Sequence, residues 1–203
     1  MLKALLWDVD GTLAETERDV HRVAFNQAFE VAGLPWRWDE ARYGELLRIT
    51  GGRERLLHDM ASHPDAPAIA AERERLAREL HARKQAFYSQ LLQSHRLALR
   101  PGVAELIDDA RREGLRQAIV TTTSRSGVDT LLQGAFGATW RQQFAAVVCG
   151  EDVQAKKPSP EAYELCLQQL AIGPLEAVAF EDSPGGAAAA RAAHVPVIVT
   201  RSH

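Results

Sequence analysis

The most constraining stretch is Leu2-Lys3-Ala4-Leu5-Leu6-Trp7-Asp8-Val9-Asp10-Gly11-Thr12-Leu13. A short apolar run of this kind reads as a strand buried on both faces, the position strands take in parallel sheets. Two carboxylates one residue apart end the strand, a glycine breaks it, and a hydroxyl residue follows. Carboxylates near a buried strand end are costly unless something positive meets them. At the carboxyl end of a parallel strand that partner is usually a ligand or a metal. A solvated Asp-x-Asp turn would have the same local sequence, so the rest of the chain decides.

After Thr16, an expected helix N-cap, the spacing turns helical. Val20, Ala24, Ala28 and Val31 recur at helical intervals with Phe25 and Phe29 beside them, and Gly33 is the expected stop. Asp39 caps a short helix through Leu47. Thr50-Gly51-Gly52-Arg53 reads as a loop, with a further helix over 54–61. A long charged helix is expected over 68–92, with Ile69, Leu76, Leu80, Phe87 and Leu91 as its apolar stripe. No strand pattern occurs from Glu15 to His95. From Leu97 onward the pattern changes. Arg100 precedes Pro101 and is pushed out of helical geometry. Helices over 103–113, 126–135, 161–170 and 185–193 then alternate with strands over 117–122, 145–149, 177–181 and 195–199. Such alternation implies a parallel sheet with right-handed crossovers, to which the first strand must belong in order to be buried. The expected architecture is α/β: a Rossmann-like parallel-sheet core from residues 1–15 and 97–203, with an all-helical cap domain over 16–96 inserted after the first strand.

Several core strands end in polar groups that together make useful chemistry. Asp8 and Asp10 follow the first strand. Thr121, Thr122, Thr123 and Ser124 follow the second. Lys156 and Lys157 lie in the loop after Cys149, and Glu181 and Asp182 end the strand that starts at Ala177. An open parallel sheet gathers these ends along one edge. Carboxylates gathered there repel one another unless a cation sits among them. Their hard oxygens favour Mg²⁺, and no His or Cys cluster points to zinc or copper. Metal, lysine and hydroxyl together describe a phosphoryl site.

On these residues the sequence resembles the haloacid dehalogenase superfamily. Its four motifs occur in order as Asp8-Val9-Asp10-Gly11-Thr12, Thr122, Lys157-Pro158 and Glu181-Asp182-Ser183. The resemblance implies that Asp8 attacks phosphorus and forms an aspartyl phosphate. Asp10 would protonate the leaving alkoxide and then activate water. Thr122 and Lys157 would hold the phosphoryl oxygens. Mg²⁺ would be bound by Asp8, the Asp10 carbonyl and Asp182, with Glu181 in the outer shell. Within the superfamily the chain is similar to the CbbY-type sugar-phosphate phosphatases, through Glu15-Thr16-Glu17, Thr50-Gly51-Gly52-Arg53-Glu54-Arg55, Arg100-Pro101-Gly102-Val103, Thr121-Thr122-Thr123-Ser124 and Lys156-Lys157-Pro158. This implies a phosphatase acting on a small sugar phosphate, with a bisphosphate such as xylulose 1,5-bisphosphate expected. A phosphosugar mutase of the β-phosphoglucomutase type would carry the same motifs. Most relatives have Asp where this chain has Glu15, and most continue with more core beyond the point where it stops, His203.

Outside the motifs, Arg53 beside two glycines is either a solvated cation or a guanidinium for a second phosphate, where a planar fork binds well. Lys84 interrupts an apolar stripe, and relatives have a substrate-binding lysine at this place, so the substrate cleft is its expected direction. Ser124 and Arg125 either touch substrate or cap a helix. Glu17 and His21 are candidate substrate contacts one helical turn apart, for which a surface pair is the simpler reading. Trp36 and Trp38 read as cap core.

The formal net charge of -3 gives no reason to expect nucleic acid or an anionic membrane. Asp8 and Asp10 interrupt the first apolar run too early for a signal peptide, and no run approaches the about 20 residues of a membrane helix. Cys149 and Cys166 read as core thiols of a protein in a reducing compartment. The expectation is a cytoplasmic monomer.

Overall fold

The computed structural model describes residues 1–16, 20–49, 51–94 and 99–201. The chain divides into two compact units, Met1–Thr16 with Arg96–His203, and Glu17–His95. The first unit contains five strands: β1 (Ala4–Trp7), β2 (Arg116–Val120), β3 (Ala146–Val148), β4 (Ala177–Glu181) and β5 (Val197–Val199). They form one sheet in the order β3-β2-β1-β4-β5, every neighbouring pair parallel.

Strand β1 is central because all four of its residues can be buried. Leu6 lies opposite Ala118 on β2 and Ala179 on β4, where small neighbours leave it room. Trp7 stacks on Phe180 with ring centroids 4.3 Å apart. Its indole N–H donates to Gln117 Oε1 at 2.7 Å, and Gln117 Nε2 donates to the Leu115 carbonyl at 3.1 Å, so the buried amide on β2 is satisfied. Leu2 lies outside the strand and is exposed. The strand expected over 117–122 lies instead at Arg116–Val120, which leaves Thr121 and Thr122 in the loop beyond it.

Helices α5 (Val103–Arg112), α6 (Arg125–Phe136), α7 (Glu161–Leu170) and α8 (Pro184–Ala192) complete this unit. From β1 the chain builds β2 and β3 on one side and β4 and β5 on the other. The direction reverses between β1 and β4, and open α/β sheets place ligands in the crevice outside the strand ends at such a switch point.

The second unit is helical, with α1 (Arg22–Val31), α2 (Glu40–Leu46), α3 (Gly52–Met60) and α4 (Ala70–Ser94). Its core gathers Phe25, Phe29, Trp36, Trp38, Tyr43, Leu46, Leu56, Met60, Ala77 and Leu80. Asp39 caps α2 as expected, accepting from the Arg42 N–H. Trp38 is fixed by three polar contacts: its N–H and carbonyl pair with Asn26 at 2.8 and 2.9 Å, and its indole donates to Asp59 Oδ2 at 2.8 Å. Arg42 Nε completes Asp59 at 3.0 Å.

Sequence expectations shift in these helices. The cap expected at Thr16 falls beside residues 17–19, which lie outside the described residues; the Thr16 hydroxyl donates to Asp10. Val31 and Ile69 are exposed, at 63% and 59%. The buried stripe of α4 runs through Ala77, Leu80, Lys84, Tyr88 and Leu92 rather than through Phe87 and Leu91. Among the described residues no helix is long and apolar enough to cross a membrane.

Asp59 is 6% exposed and accepts from both Trp38 and Arg42. Asp59→Ala strands both donors and is expected to destabilise the helical unit by about 2–3 kcal/mol. Urea unfolding followed by tryptophan fluorescence measures it; a loss under about 0.5 kcal/mol would contradict this role for Asp59.

Candidate active site

The site in the first unit is built on the switch point. Asp8 leaves the end of β1, with its N–H on the Phe180 carbonyl at 3.1 Å. Glu181 ends β4 and Asp182 follows it. Asp8, Glu181 and Asp182 each offer an oxygen within 4.8 Å of the others. Lys157, which precedes α7, enters this cluster from β2's side. Its ammonium donates to Asp8 Oδ1 at 2.8 Å, to Glu181 Oε1 at 2.6 Å and to the Val120 carbonyl at 2.7 Å. Lys157 is 4% exposed and Glu181 fully buried.

Two glycines let the acidic groups come this close. Gly11 has φ +77, and a Cβ there would lie 2.1 Å from Asp182 Oδ2. A Cβ on Gly186, in the first turn of α8, would lie 1.8 Å from Glu181 Oε2. Any side chain at either position would collide with a carboxylate.

The electrostatics follow from burial and from the count of charges. Burial raises the Asp8 carboxyl well above the usual carboxylate range; Lys157 opposes this while Glu181 and Asp182 add to it. For Lys157, burial opposes the ammonium, but Asp8 and Glu181 outweigh it and hold its pKa above the ordinary lysine value. Among the described residues, Lys157 donates to Asp8 and Glu181, and Asp182 brings a third carboxyl oxygen beside theirs. Glu181 Oε2 is buried with no hydrogen-bond partner among the described residues. An excess of buried negative charge, hard oxygen donors and an orphaned carboxylate oxygen fit a divalent cation.

Asp10 lies two residues beyond Asp8, and its carboxylate faces hydroxyls: Thr16 donates to Oδ1 and Thr123 to Oδ2. Thr122 lies in the loop after β2, half-buried. Ser124 is the N-cap of α6, accepting from the Gly127 N–H at 3.3 Å. The Arg125 guanidinium pairs with Asp152 at 2.5 Å, and the Arg125 N–H donates to Glu151. Of the alternatives open for Ser124, the structure shows the cap.

The remaining candidates lie in the helical unit. Arg53 is exposed in the first turn of α3, 3.6 Å from Glu54. Its neighbour Arg55 is the inward-facing guanidinium, donating to the Ile49 carbonyl at 2.9 Å and to Tyr43 Oη at 3.1 Å. Lys84 is 3% exposed, with its ammonium 2.7 Å from His21 Nδ1 and 4.6 Å from the centre of the Tyr88 ring. The expected surface pair of Glu17 and His21 is corrected at His21, which is buried against Tyr88. It is buried because it packs beside α4's inward stripe, where Lys84 meets it. Glu17 lies outside the described residues.

Several contacts escaped the sequence reading. Thr16, expected as a helix cap, and Thr123, one of the polar residues after β2, both donate to the Asp10 carboxylate. The Tyr163 hydroxyl donates to Glu181 Oε1 from α7, and nothing in an apolar helical stripe distinguishes a tyrosine with a partner from one without. Arg100 pairs with Glu15 at 2.8 Å and donates to the Gly11 carbonyl, tying the segment before α5 to the loop after β1. Glu15 therefore has a cationic partner in Arg100. Cys149 and Cys166 are free and buried, and burial pushes their thiols up to about 11 and about 12, so neither is a nucleophile.

A doubly wound parallel sheet with an acidic cluster and a buried lysine at its switch point is the frame of a hydrolase of the haloacid dehalogenase-like family. That family's model matches residues 2–194, and the chain belongs to the family. Among individual proteins, the chain is 46% identical to Protein CbbY of Rhodobacter capsulatus over 201 residues, covering 99% of this chain and 86% of that protein. It is 29% identical over 195 residues to the phosphorylated carbohydrates phosphatase of Thermotoga maritima, covering 96% of this chain and 82% of that one. The fold matches the crystal structure of a CbbY mutant from Rhodobacter sphaeroides in complex with xylulose 1,5-bisphosphate. The TM-score is 0.91 at 40% identity, covering 100% of this chain and 88% of that chain.

Gly11→Ala places a methyl group against Asp182 and forces an L side chain to a positive φ. A displacement near 1 Å at a reacting centre costs on the order of 100-fold in rate. We expect kcat/KM to fall by about that factor, measured by phosphate release. Activity within threefold of wild type would contradict the close packing of Gly11 on Asp182.

Proposed function

We propose that the chain is a Mg²⁺-dependent phosphatase of a small sugar phosphate, a bisphosphate such as xylulose 1,5-bisphosphate. The observation that carries the reading is the buried group of Asp8, Lys157, Glu181 and Asp182 at the sheet's switch point. The similarity to proteins that bind or act on phosphorylated sugars gives it direction. The first unit is read as the catalytic core and the helical unit as its cap. Two free, buried cysteines fit a reducing compartment, and we place the enzyme in the cytoplasm as a monomer.

Asp8 is the nucleophile. Lys157 donates to its Oδ1, and the other carboxylate oxygen attacks phosphorus as the bond from phosphorus to the sugar oxygen breaks. Asp10 gives its proton to the leaving alkoxide. It then takes a proton from water as that water attacks the aspartyl phosphate, releasing phosphate and restoring the Asp8 carboxylate. Thr16 and Thr123 hold the Asp10 carboxylate, and the family resemblance directs its backbone carbonyl to the metal. Thr122 and Lys157 meet the phosphoryl oxygens. Asp8, the Asp10 carbonyl and Asp182 would hold Mg²⁺, with Glu181 alongside, and the cation would neutralise charge on the transferring group.

Selectivity is assigned to the helical unit, because the core groups recognise only the phosphoryl group being transferred. Arg53 and Lys84 are the cations assigned to a second phosphate, with Glu17, His21, Ser124 and Arg125 as further candidate contacts. Remote binding energy of this kind raises turnover by aligning the reacting end.

A screen of phosphorylated sugars with and without Mg²⁺ tests the chemistry. Phosphate should be released only with Mg²⁺, and Asp8→Asn should abolish release while circular dichroism stays unchanged. Full activity in excess chelator would refute the metal assignment. A moved phosphate, in place of free phosphate, would identify a mutase.

The selectivity assignment has its own test. Arg53→Ala and Lys84→Ala should each lower kcat/KM for a sugar bisphosphate by about tenfold or more, the loss for one hydrogen bond to a charged group. Hydrolysis of an aryl phosphate, which has no second phosphate, should change far less. Equal losses on both substrates would assign the two residues to the stability of the helical unit instead.

A further inference from the structure

A lysine ammonium has three N–H donors, and all three of Lys157's are used inside the protein. They go to Asp8 Oδ1 at 2.8 Å, to the Val120 carbonyl at 2.7 Å and to Glu181 Oε1 at 2.6 Å. Lys157 therefore meets a phosphoryl oxygen only by withdrawing one of these bonds. A buried acceptor that loses its donor carries the full desolvation penalty. Glu181 is especially exposed to that penalty in energetic terms: it is wholly buried, and its Oε2 already lacks a partner among the described residues.

Glu181 Oε1 has a second donor in place, the Tyr163 hydroxyl. Tyr163 is fully buried on α7, in a core of Ala162, Cys166, Leu167 and sheet residues that fixes its ring. Lys157 lies 5.4 Å from the centre of that ring, so the phenol and the ammonium approach Glu181 side by side. When Lys157 turns a hydrogen toward phosphate, the phenol still satisfies Glu181.

We propose that Tyr163 is a positioning residue for phosphoryl binding: its hydroxyl holds Glu181 Oε1 so that Lys157 can transfer one hydrogen bond from Glu181 to the phosphoryl group. Phenylalanine here would fill the same space but make Lys157 the sole donor to Glu181, and phosphate would then compete with a buried carboxylate oxygen for it. The proposal rests on the reading of Lys157 as a phosphoryl ligand.

The test is calorimetric titration of inorganic phosphate into the full chain in Mg²⁺-containing buffer, which reads binding apart from turnover. Wild type should bind phosphate and Lys157→Met should lose binding. If wild type does not bind, or Lys157→Met binds equally, the phosphoryl reading fails and this proposal with it. Tyr163→Phe is expected to bind phosphate about tenfold more weakly, the loss typical of one hydrogen bond to a charged group. Its thermal midpoint should stay near that of wild type. Binding within twofold of wild type overturns the proposal. In a Glu181→Gln background, where the oxygen is no longer charged, Tyr163→Phe should add less than twofold; an undiminished tenfold loss would mean that Tyr163 acts through something other than Glu181. If Tyr163→Phe does not fold, 4-aminophenylalanine at 163 keeps a donor at the same place. It should then bind within about threefold of wild type, and a tenfold loss would overturn the proposal.

Discussion

The first unit depends on one buried ammonium. Lys157 reaches the ends of three neighbouring strands at once: Asp8 after β1, the Val120 carbonyl at the end of β2, and Glu181 at the end of β4. Without it, two buried carboxylates would face each other at the centre of the sheet, in a setting where an uncompensated charge costs several kcal/mol. The same contact explains why the strand ends stay together at the switch point. It also places, on the proposed function, the phosphate-binding ammonium beside the nucleophilic carboxylate. Stability and reactivity here draw on the same hydrogen bonds, which is how functional sites come to violate the usual preference for neutral cores.

Close approach is the second constraint. The acidic groups converge only because Gly11 and Gly186 leave the volume of a side chain free beside Asp182 and Glu181. At Gly186 no special backbone angle is involved; the glycine is there for space alone, in the first turn of α8. At Gly11 space and a positive φ coincide. The two glycines thus act from either side of the acidic pair that ends β4, one from the loop after β1 and one from the following helix.

How much of this was legible depended on whether a residue's role is local. Strand β4 and helix α7 have the boundaries read from the sequence, because their alternation and periodicity are sharp and their ends carry turn residues. Asp8, Glu181 and Asp182 could be read as neighbours because each falls at or just after a strand end, and parallel topology alone gathers strand ends; Lys157 joins them from the loop between β3 and α7. The partners of Thr16, Thr123 and Tyr163 could not be read, because a hydroxyl's partner is set by tertiary neighbours that sequence spacing does not contain. The stripe of α4 failed for a related reason. Tyr88 holds an inward position that a hydrophobicity count gives to Phe87 and Leu91, and Lys84, legible on the stripe, is buried over an aromatic ring and beside a histidine by contacts its polarity does not advertise. Arg53 and Arg55 show the same limit within one helix: two guanidinium groups two residues apart, one exposed and one bonded to a backbone carbonyl and a phenol, with composition that cannot rank them.

Charge arithmetic connects the site to the order in which it can be filled. Asp8, Glu181 and Asp182 bring carboxyl oxygens within 4.8 Å of one another, and Lys157 donates to Asp8 and Glu181. A phosphate dianion approaching Asp8 would therefore meet a net negative surface, in a setting of low effective dielectric where like charges a few ångströms apart repel by several kcal/mol. On the proposed function, a divalent cation held by the same carboxylates would offset their charge and make the approach of an anion favourable. The carboxylates that oppose phosphate binding on their own would then be what permits it. It also follows that Lys157 cannot be replaced by a second metal-binding group without changing the balance. The Lys157 ammonium is built into the fold itself, and its bonds to Asp8 and Glu181 are what let these two carboxyl groups be buried side by side.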